Sequence, residues 1–159
     1  MIARKLFFPL LFFILLHVPK VAHSKLQKAF IDLNTTAFTK KGFIPLKGEW
    51  IFYWNKLLSP QDLKNNELLQ SGTSFKAPGH WTDKRNGSLP RFGYGTFILN
   101  VKGAPKETEL TLTLKDISSS FQVFIAQRDE VKSLGGKGKV GPKKEDSIPE
   151  YGQFVKSFK

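Results

Sequence analysis

The chain has 159 residues, of which 40% are apolar and 24% charged, and its formal net charge is +12. This length is typical of one domain with one core. The 15 Phe, 3 Trp and 3 Tyr exclude a fully disordered chain. Because there is no cysteine, disulfide scaffolds, thiolate zinc sites and cysteine nucleophiles are excluded. What remains is a small, basic, aromatic-rich globular domain.

The N-terminal segment has the pattern of an export signal. Two basic residues precede an uncharged run over residues 6–16, which is too short to span a membrane. Ala22 and Ser24 supply the small residues at positions −3 and −1 of a cut after Ser24. We expect a signal peptide over 1–24 and an exported domain, periplasmic or extracellular, over 25–159. The alternative is an uncleaved N-terminal anchor, which would keep the domain membrane-associated.

The remaining sequence, taken in chain order, alternates with a period of two. Residues 49–54 are dense enough in strand-forming side chains to predict a strand covered on both faces. Apolar residues alternate with polar ones in three further segments, which predicts strands at 96–101, 109–114 and 121–126. Weaker strand candidates lie at 27–33, 74–77 and 154–158.

Turns and loops complete the pattern. Ser59 and Pro60 make a helix start and predict a helix over 59–69. Pro78 and Gly79 predict a turn in which glycine permits a positive φ. The segment 132–146 is poor in apolar residues and predicts a long solvated loop. Short strands between Gly/Pro turns favour an all-β, antiparallel β-sandwich.

Catalytic signatures are sparse. His80 is the only histidine after the export signal, and one imidazole without cysteine does not make the usual zinc site. Asp116, which lies beside a run of three serines, is typical of a strand-end turn. No nucleophile–base set is recognisable. We therefore expect no enzyme activity, no catalytic residues, no metal and no cofactor. The lysines are spread along an exported chain, which argues against nucleic acid as a partner.

Five motifs follow one another in the order of a known bacterial family. They are PLKGEWIFYWNKLLSP at 45–60, KAPGHW at 76–81, GYGTF at 93–97, DISSSF at 116–121 and SIPEY at 147–151. In these motifs the chain resembles the N-terminal extracellular sensor domain of seven-transmembrane receptors with diverse intracellular signalling modules. The same elements occur more loosely in the non-catalytic sugar-binding domain of β-galactosidase-type glycoside hydrolases. The resemblance covers about residues 30–158.

The resemblance implies a galactose-binding-like jelly roll that senses a carbohydrate or another small molecule without catalysis. It also implies downstream membrane helices and an output module such as a cyclase, phosphatase or kinase. The family's jelly roll continues beyond the SIPxY motif, so we expect an incomplete fold here, in which strand 154–158 lacks its partner. Where the family has an Asn-Gly hairpin, residues 126–130 read AQRDE, which predicts a different turn.

The best ligand-binding candidates are Trp81, Arg91 and Tyr94, which flank a Gly-rich connection at the expected rim of the sandwich. A role in closing the edge of the core is the alternative for each of them. Trp50, Phe52 and Trp54 are predicted core residues. Two other functions stay open: an accessory domain of a glycoside hydrolase, and a stand-alone envelope protein that binds acidic glycans or a protein partner.

Overall fold

A computed structural model describes residues 30–34, 42–64, 66–103, 108–127 and 130–159, and it is built mainly from strands. The expected signal peptide lies outside these residues. The described strands are β1 (Phe30–Asp32), β2 (Gly48–Trp54), β3 (Thr73–Ala77), β4 (Gly95–Ile98), β5 (Asn100–Lys102), β6 (Leu110–Leu114), β7 (Phe121–Gln127), β8 (Glu130–Lys137) and β9 (Phe154–Phe158). Helical structure in the same residues is limited to a short helix, α1 (Asn66–Gln70), and to 3₁₀ turns at Pro60–Lys64, Lys84–Asn86 and Lys144–Asp146.

The strands pair into four small sheets. β2 lies between β3 and β4 in an antiparallel sheet, and β6–β9 and β7–β8 form antiparallel pairs. β1 and β5 pair in parallel, so the expectation of a wholly antiparallel fold is wrong for this pair. The chain is therefore an all-β protein with predominantly antiparallel pairing.

Strand β2 is covered on both faces, as predicted. Three consecutive residues, Ile51, Phe52 and Tyr53, are each no more than 5% exposed. Because consecutive side chains of a strand point to opposite faces, both faces must be packed. On one face Ile51 and Tyr53 contact Leu58 and Leu69, and the Tyr53 hydroxyl donates a 2.7 Å hydrogen bond to the Leu69 carbonyl. The other face carries the aromatic rings of the candidate site.

Two predicted elements are each divided in the structure. The predicted strand over 96–101 is interrupted after Ile98, since β4 pairs with β2 whereas β5 pairs with β1. The predicted helix over 59–69 becomes a 3₁₀ turn followed by α1, and residue 65 between them lies outside the described residues. Its predicted start at Ser59 is marked by the Asp62 carboxylate, which accepts the Ser59 N–H and hydroxyl at 2.7 Å each.

The last strand has a partner, so the expectation that it lacks one is wrong. β9 pairs antiparallel with β6 along all five residues, from Leu110 opposite Phe158 to Leu114 opposite Phe154. The Thr111 and Ser157 hydroxyls, which lie 2.9 Å apart, add a hydrogen bond across this pair. The sequence separation of the two strands hid their pairing.

The predicted solvated loop over 132–146 is also wrong in its first half. Glycine-rich β8 pairs with β7, with a register shift at Val123/Phe124. A Cβ at Gly136 would overlap the carbonyl oxygen of Phe121, so glycine here permits close strand approach. Further on, the backbones of Lys139 and Ile148 exchange hydrogen bonds of 2.8 and 2.9 Å. Of the predicted turn over 126–130, residues 126 and 127 belong to β7 and residue 130 to β8, and residues 128 and 129 lie outside the described residues.

Candidate functional site

Six aromatic side chains pack along one face of the β3-β2-β4 sheet. They are Trp50, Phe52 and Trp54 of β2, Phe75 of β3, Phe97 of β4 and, from the loop after β3, Trp81. Phe52 is the centre of this row: it is 2% exposed, and its ring centroid lies 4.4 Å from that of Phe97 and 5.2 Å from that of Phe75. The two tryptophans of β2 are half-buried, so the row is a core that opens at its ends.

Trp81 lies at one of these open ends. Its ring is nearly parallel to that of Phe52, at 6.5 Å and 12°, and meets Trp54 edge-on at 5.3 Å and 66°. The side chain is half-buried. Trp81 therefore packs against the core while remaining partly exposed to solvent.

The loop that carries Trp81 is held by the buried side chain of Asn86. Its Oδ1 accepts the Lys76 N–H at 2.8 Å, and its Nδ2 donates to the His80 carbonyl at 3.1 Å. The Trp81 carbonyl in turn accepts the Leu89 N–H at 2.9 Å. Because these bonds tie the loop to β3 on one side and close it on the other, the position of Trp81 is fixed by the backbone.

The predicted turn at Pro78 and Gly79 is present, but glycine is needed there for a different reason. The φ of Gly79 lies outside the left-handed region. A Cβ at this position would lie 2.8 Å from Nη2 of Arg85 and 2.8 Å from the Lys76 carbonyl oxygen. The same Nη2 donates to the Pro78 carbonyl at 3.2 Å. Glycine therefore leaves room for a guanidinium group that closes the loop.

Gly93, which lies between Arg91 and Tyr94 in the sequence, contacts the same aromatic row. Gly93 lies so close to the six-membered ring of Trp54 that a Cβ would overlap it. Tyr94 is half-buried and Arg91 is exposed. The structure therefore brings Trp81 and Gly93, the glycine between Arg91 and Tyr94 in the sequence, to Trp54. We call Trp54, Trp81 and residues 91–94 the Trp54 surface.

Positive charge borders this surface. Phe92 is 67% exposed, and the Lys144 ammonium lies 4.8 Å from its ring centroid, in a cation–π contact. This contact joins the segment that carries Arg91 to the 3₁₀ turn after β8. Neither Arg91 nor Lys144 forms an ion pair with another residue in the part of the chain that the structure describes. Both cations therefore stay available to a ligand.

A concave feature, which sequence reasoning missed, lies in the other half of the chain. Residues 115–118, after β6, and 151–153, before β9, line an open cavity of about 350 Å³ that we call the Asp116 groove. The sequence predicts a strand-end turn at Asp116, and the structure places this residue just after the end of β6. The groove depends on the pairing of β6 with β9. The alternation of apolar and polar residues within either strand does not reveal that pairing.

Within the described ranges, no three His, Asp or Glu side chains gather into a group that could hold a metal ion. The backbone of His80 accepts the Asn86 amide and donates to the Asp83 carboxylate at 3.4 Å, so this residue belongs to the loop that carries Trp81.

No protein-family model matches the chain, and neither the curated proteins nor the solved structures contain a match. No helix in the described part of the chain is long and apolar enough to cross a membrane. The chemistry of the two surfaces is therefore the main guide to what this protein binds.

Proposed function

We propose that this protein is a non-catalytic, extracytoplasmic ligand-sensing domain with a galactose-binding-like jelly roll, and that it binds a carbohydrate or a similar small molecule at the Trp54 surface. The observation that carries the proposal is the setting of Trp81. A half-buried Trp81 is held by a hydrogen-bonded loop whose bond to Leu89 lies two residues before Arg91, an exposed cation.

The chemistry of these groups suits a sugar. The C–H face of a pyranose ring is apolar and stacks on an indole, while its hydroxyls need directed hydrogen bonds. Arg91 offers five N–H donors in a fixed plane, and the Tyr94 phenol both donates and accepts. Because the loop around Asn86 is already ordered, little conformational freedom is lost when a ligand binds.

We further propose that the domain belongs to a membrane signalling receptor with a cyclase, phosphatase or kinase output. The five ordered motifs support the receptor over the glycoside hydrolase alternative, because the sequence of residues 48–55, GEWIFYWN, is more similar to the receptor family. In this proposal the segment 1–24 directs export, and the ligand is met outside the cytoplasm.

A second candidate is a stand-alone envelope protein that binds acidic glycans. One observation favours it: Arg91 of the Trp54 surface and Lys144, whose ammonium lies on the Phe92 ring, have no ion-pair partner among the described residues, in a chain of net charge +12. Salt separates the two candidates, because binding that depends on several cations weakens steeply as ionic strength rises, whereas stacking on Trp81 does not.

The test is a glycan array probed with the full chain, followed by calorimetric titration of any glycan that binds. Arg91→Gln is expected to lower affinity at least about tenfold without changing the melting temperature, because Arg91 is exposed. Trp81→Ala is expected to cost about 1–3 kcal/mol of binding.

Trp50→Ala is the matched control for Trp81. This tryptophan is also half-buried and meets Phe97 edge-on at 6.4 Å, but it lies at the opposite end of β2 from Trp54. It should lower stability and leave affinity unchanged. Equal loss of affinity in both tryptophan variants, together with full affinity in Arg91→Gln, would assign the Trp54 surface to the core and refute the site.

A further inference from the structure

The Asp116 groove forms where two paired strands separate. Leu114 and Phe154 are the last residues of β6 and the first of β9, and they lie opposite each other. Beyond this pair the two chains diverge, and residues 115–118 and 151–153 become the walls of the cavity. Its volume of about 350 Å³ lies at the lower end of the range for small-molecule sites, which is about 300–1,000 Å³.

Backbone conformation fixes both walls. Asp116 has a φ of 57° and Gly152 a φ of 125°, so each wall turns at a residue in a left-handed conformation. Aspartate is among the few non-glycine residues that adopt this conformation readily, whereas the value at Gly152 is one that other residues rarely adopt. The walls are therefore shaped turns and not extended continuations of the strands.

Glu150, the residue before Tyr151, is held by two hydrogen bonds. The Glu150 carboxylate accepts the Gly138 N–H at 3.1 Å and the Lys137 ammonium at 3.1 Å. Tyr151 itself is 69% exposed, more than any other large hydrophobic side chain in the described residues. An aromatic ring on a fixed segment at the edge of a groove is a ready stacking surface.

Hydrogen-bonding groups surround this ring. Asp116, Ser118 and Gln153 line the cavity, and none of these side chains forms a hydrogen bond with another described residue. The carboxylate accepts only, while the hydroxyl and the amide both donate and accept. Lys115, on the same wall, has a charge opposite to that of Asp116. The formal charges of the groove therefore cancel, which favours an uncharged ligand with many hydroxyl groups.

From this combination we infer that the Asp116 groove is a second ligand site, specific for a neutral pyranose sugar of one or two units. The Tyr151 ring would stack on the apolar face of the sugar, and Asp116, Ser118 and Gln153 would bind its hydroxyls. This inference does not rest on the proposed function, because the groove shares no residue with the Trp54 surface.

The experiment is a titration of the ¹⁵N-labelled full chain with galactose, glucose, N-acetylglucosamine and lactose, followed by NMR. We expect at least one of these sugars to shift the backbone amides of residues 115–118 and 151–153 together. Tyr151→Ala should lower the affinity at least about tenfold, whereas Tyr151→Phe keeps the ring and should stay within about twofold. Asp116→Asn should lower it several-fold, since asparagine tolerates the same φ.

Two controls keep this test separate from that of the Trp54 surface. Phe124→Ala removes a 49% exposed ring from β7, outside the groove, and should leave the affinity unchanged. Trp81→Ala should leave the shifts at 115–118 in place even if it abolishes binding at the other site. The inference is overturned if no sugar shifts the groove amides, if the shifts persist in Tyr151→Ala, or if only a zwitterion such as glycine causes them.

Discussion

The two halves of the chain form sheets of similar strand length but with different packing. In the first half, the β3-β2-β4 sheet contains four of the seven apolar residues that are buried among the described ones: Ile51, Phe52, Tyr53 and Phe75. In the second half, the β6–β9 and β7–β8 pairs contribute two, Leu134 and Phe154. The second half is thus held mainly by backbone pairing, and the first also by side-chain burial.

The difference follows from the two kinds of sequence pattern. A run of consecutive apolar residues, as in β2, can bury both faces of a strand, whereas alternation, as in Leu110, Leu112 and Leu114 of β6, buries at most one. Those three leucines are only half-buried. We therefore expect substitutions in the first sheet to cost more stability than equivalent ones in the second.

The largest effect is expected for Phe52→Ala. Phe52 is 2% exposed and contacts the rings of four other aromatic residues, so its removal should leave a cavity and cost about 3–5 kcal/mol. Urea unfolding followed by far-ultraviolet circular dichroism measures this cost. Phe124→Ala in the second half is the control, expected below about 1 kcal/mol because its ring is 49% exposed. Similar losses of unfolding free energy in both variants would contradict the expected difference in side-chain packing between the two halves.

A backbone clash should be the most damaging change in the second half. Gly136→Ala brings a Cβ onto the Phe121 carbonyl oxygen and should cost about 1–3 kcal/mol by forcing β7 and β8 apart. Amide hydrogen exchange should then accelerate in β7 and β8 and stay unchanged in β2. Lys132→Ala, an exposed position on the same strand, should have no such effect. Equal acceleration in β2 would show that the halves unfold as one unit.

Removing a single hydrogen bond tests the face of the first sheet that packs against Leu58 and Leu69. Tyr53→Phe removes the 2.7 Å bond to the Leu69 carbonyl and should cost about 1 kcal/mol. Burial raises the pKa of the Tyr53 phenol, so the folded state keeps its proton at higher pH than the unfolded state. The stability from this difference is present below pH about 10 and is lost as pH rises further. Stability measured from pH 8 to 11 should therefore fall more in the parent chain than in the variant.

The smallest effect is expected at Glu150, on the surface of the second half. The Gly138 N–H, followed by the Lys137 ammonium, lowers the pKa of its carboxyl group. The resulting stability is present above the ordinary glutamate pKa and is lost as pH falls through the folded value. Glu150→Gln should thus slightly lower the melting temperature at pH 7 and not at pH 3. Glu145→Gln is the control, and a difference that persists at pH 3 would contradict the electrostatic explanation.

Local patterns predicted most of the fold's elements but not how distant ones pair. The consecutive run in β2 and the alternation in β6 and β7 were sufficient to place these strands. The β6–β9 pairing was missed because neither strand contains information about the other's register. β8 was missed because Gly135 and Gly136 are typical of loops. In the structure the Phe121 carbonyl leaves no room for a Cβ at Gly136, and Gly135 has a φ of 95°.

The sequence suggested residues for the candidate site but not their arrangement in space. Trp81, Arg91 and Tyr94 stand out in the sequence as polar or aromatic residues near glycines; in the structure Trp81 contacts Trp54, and so does Gly93, which lies between Arg91 and Tyr94. Sequence could not reveal Asn86, whose buried side chain holds the loop, because an asparagine beside a glycine is equally typical of an exposed turn. The Asp116 groove depends on the same strand register that was missed.

The edge-on pair of Trp54 and Trp81, 5.3 Å apart, also makes the first half of the molecule optically distinct. All three tryptophans of the chain, the third being Trp50, contact the aromatic row of the first sheet. Their emission therefore reports on that sheet and is nearly blind to β6–β9. The close pair should couple its excited states and give a paired positive and negative band in circular dichroism. Tryptophan spectroscopy can thus follow the first half separately from the rest of the molecule.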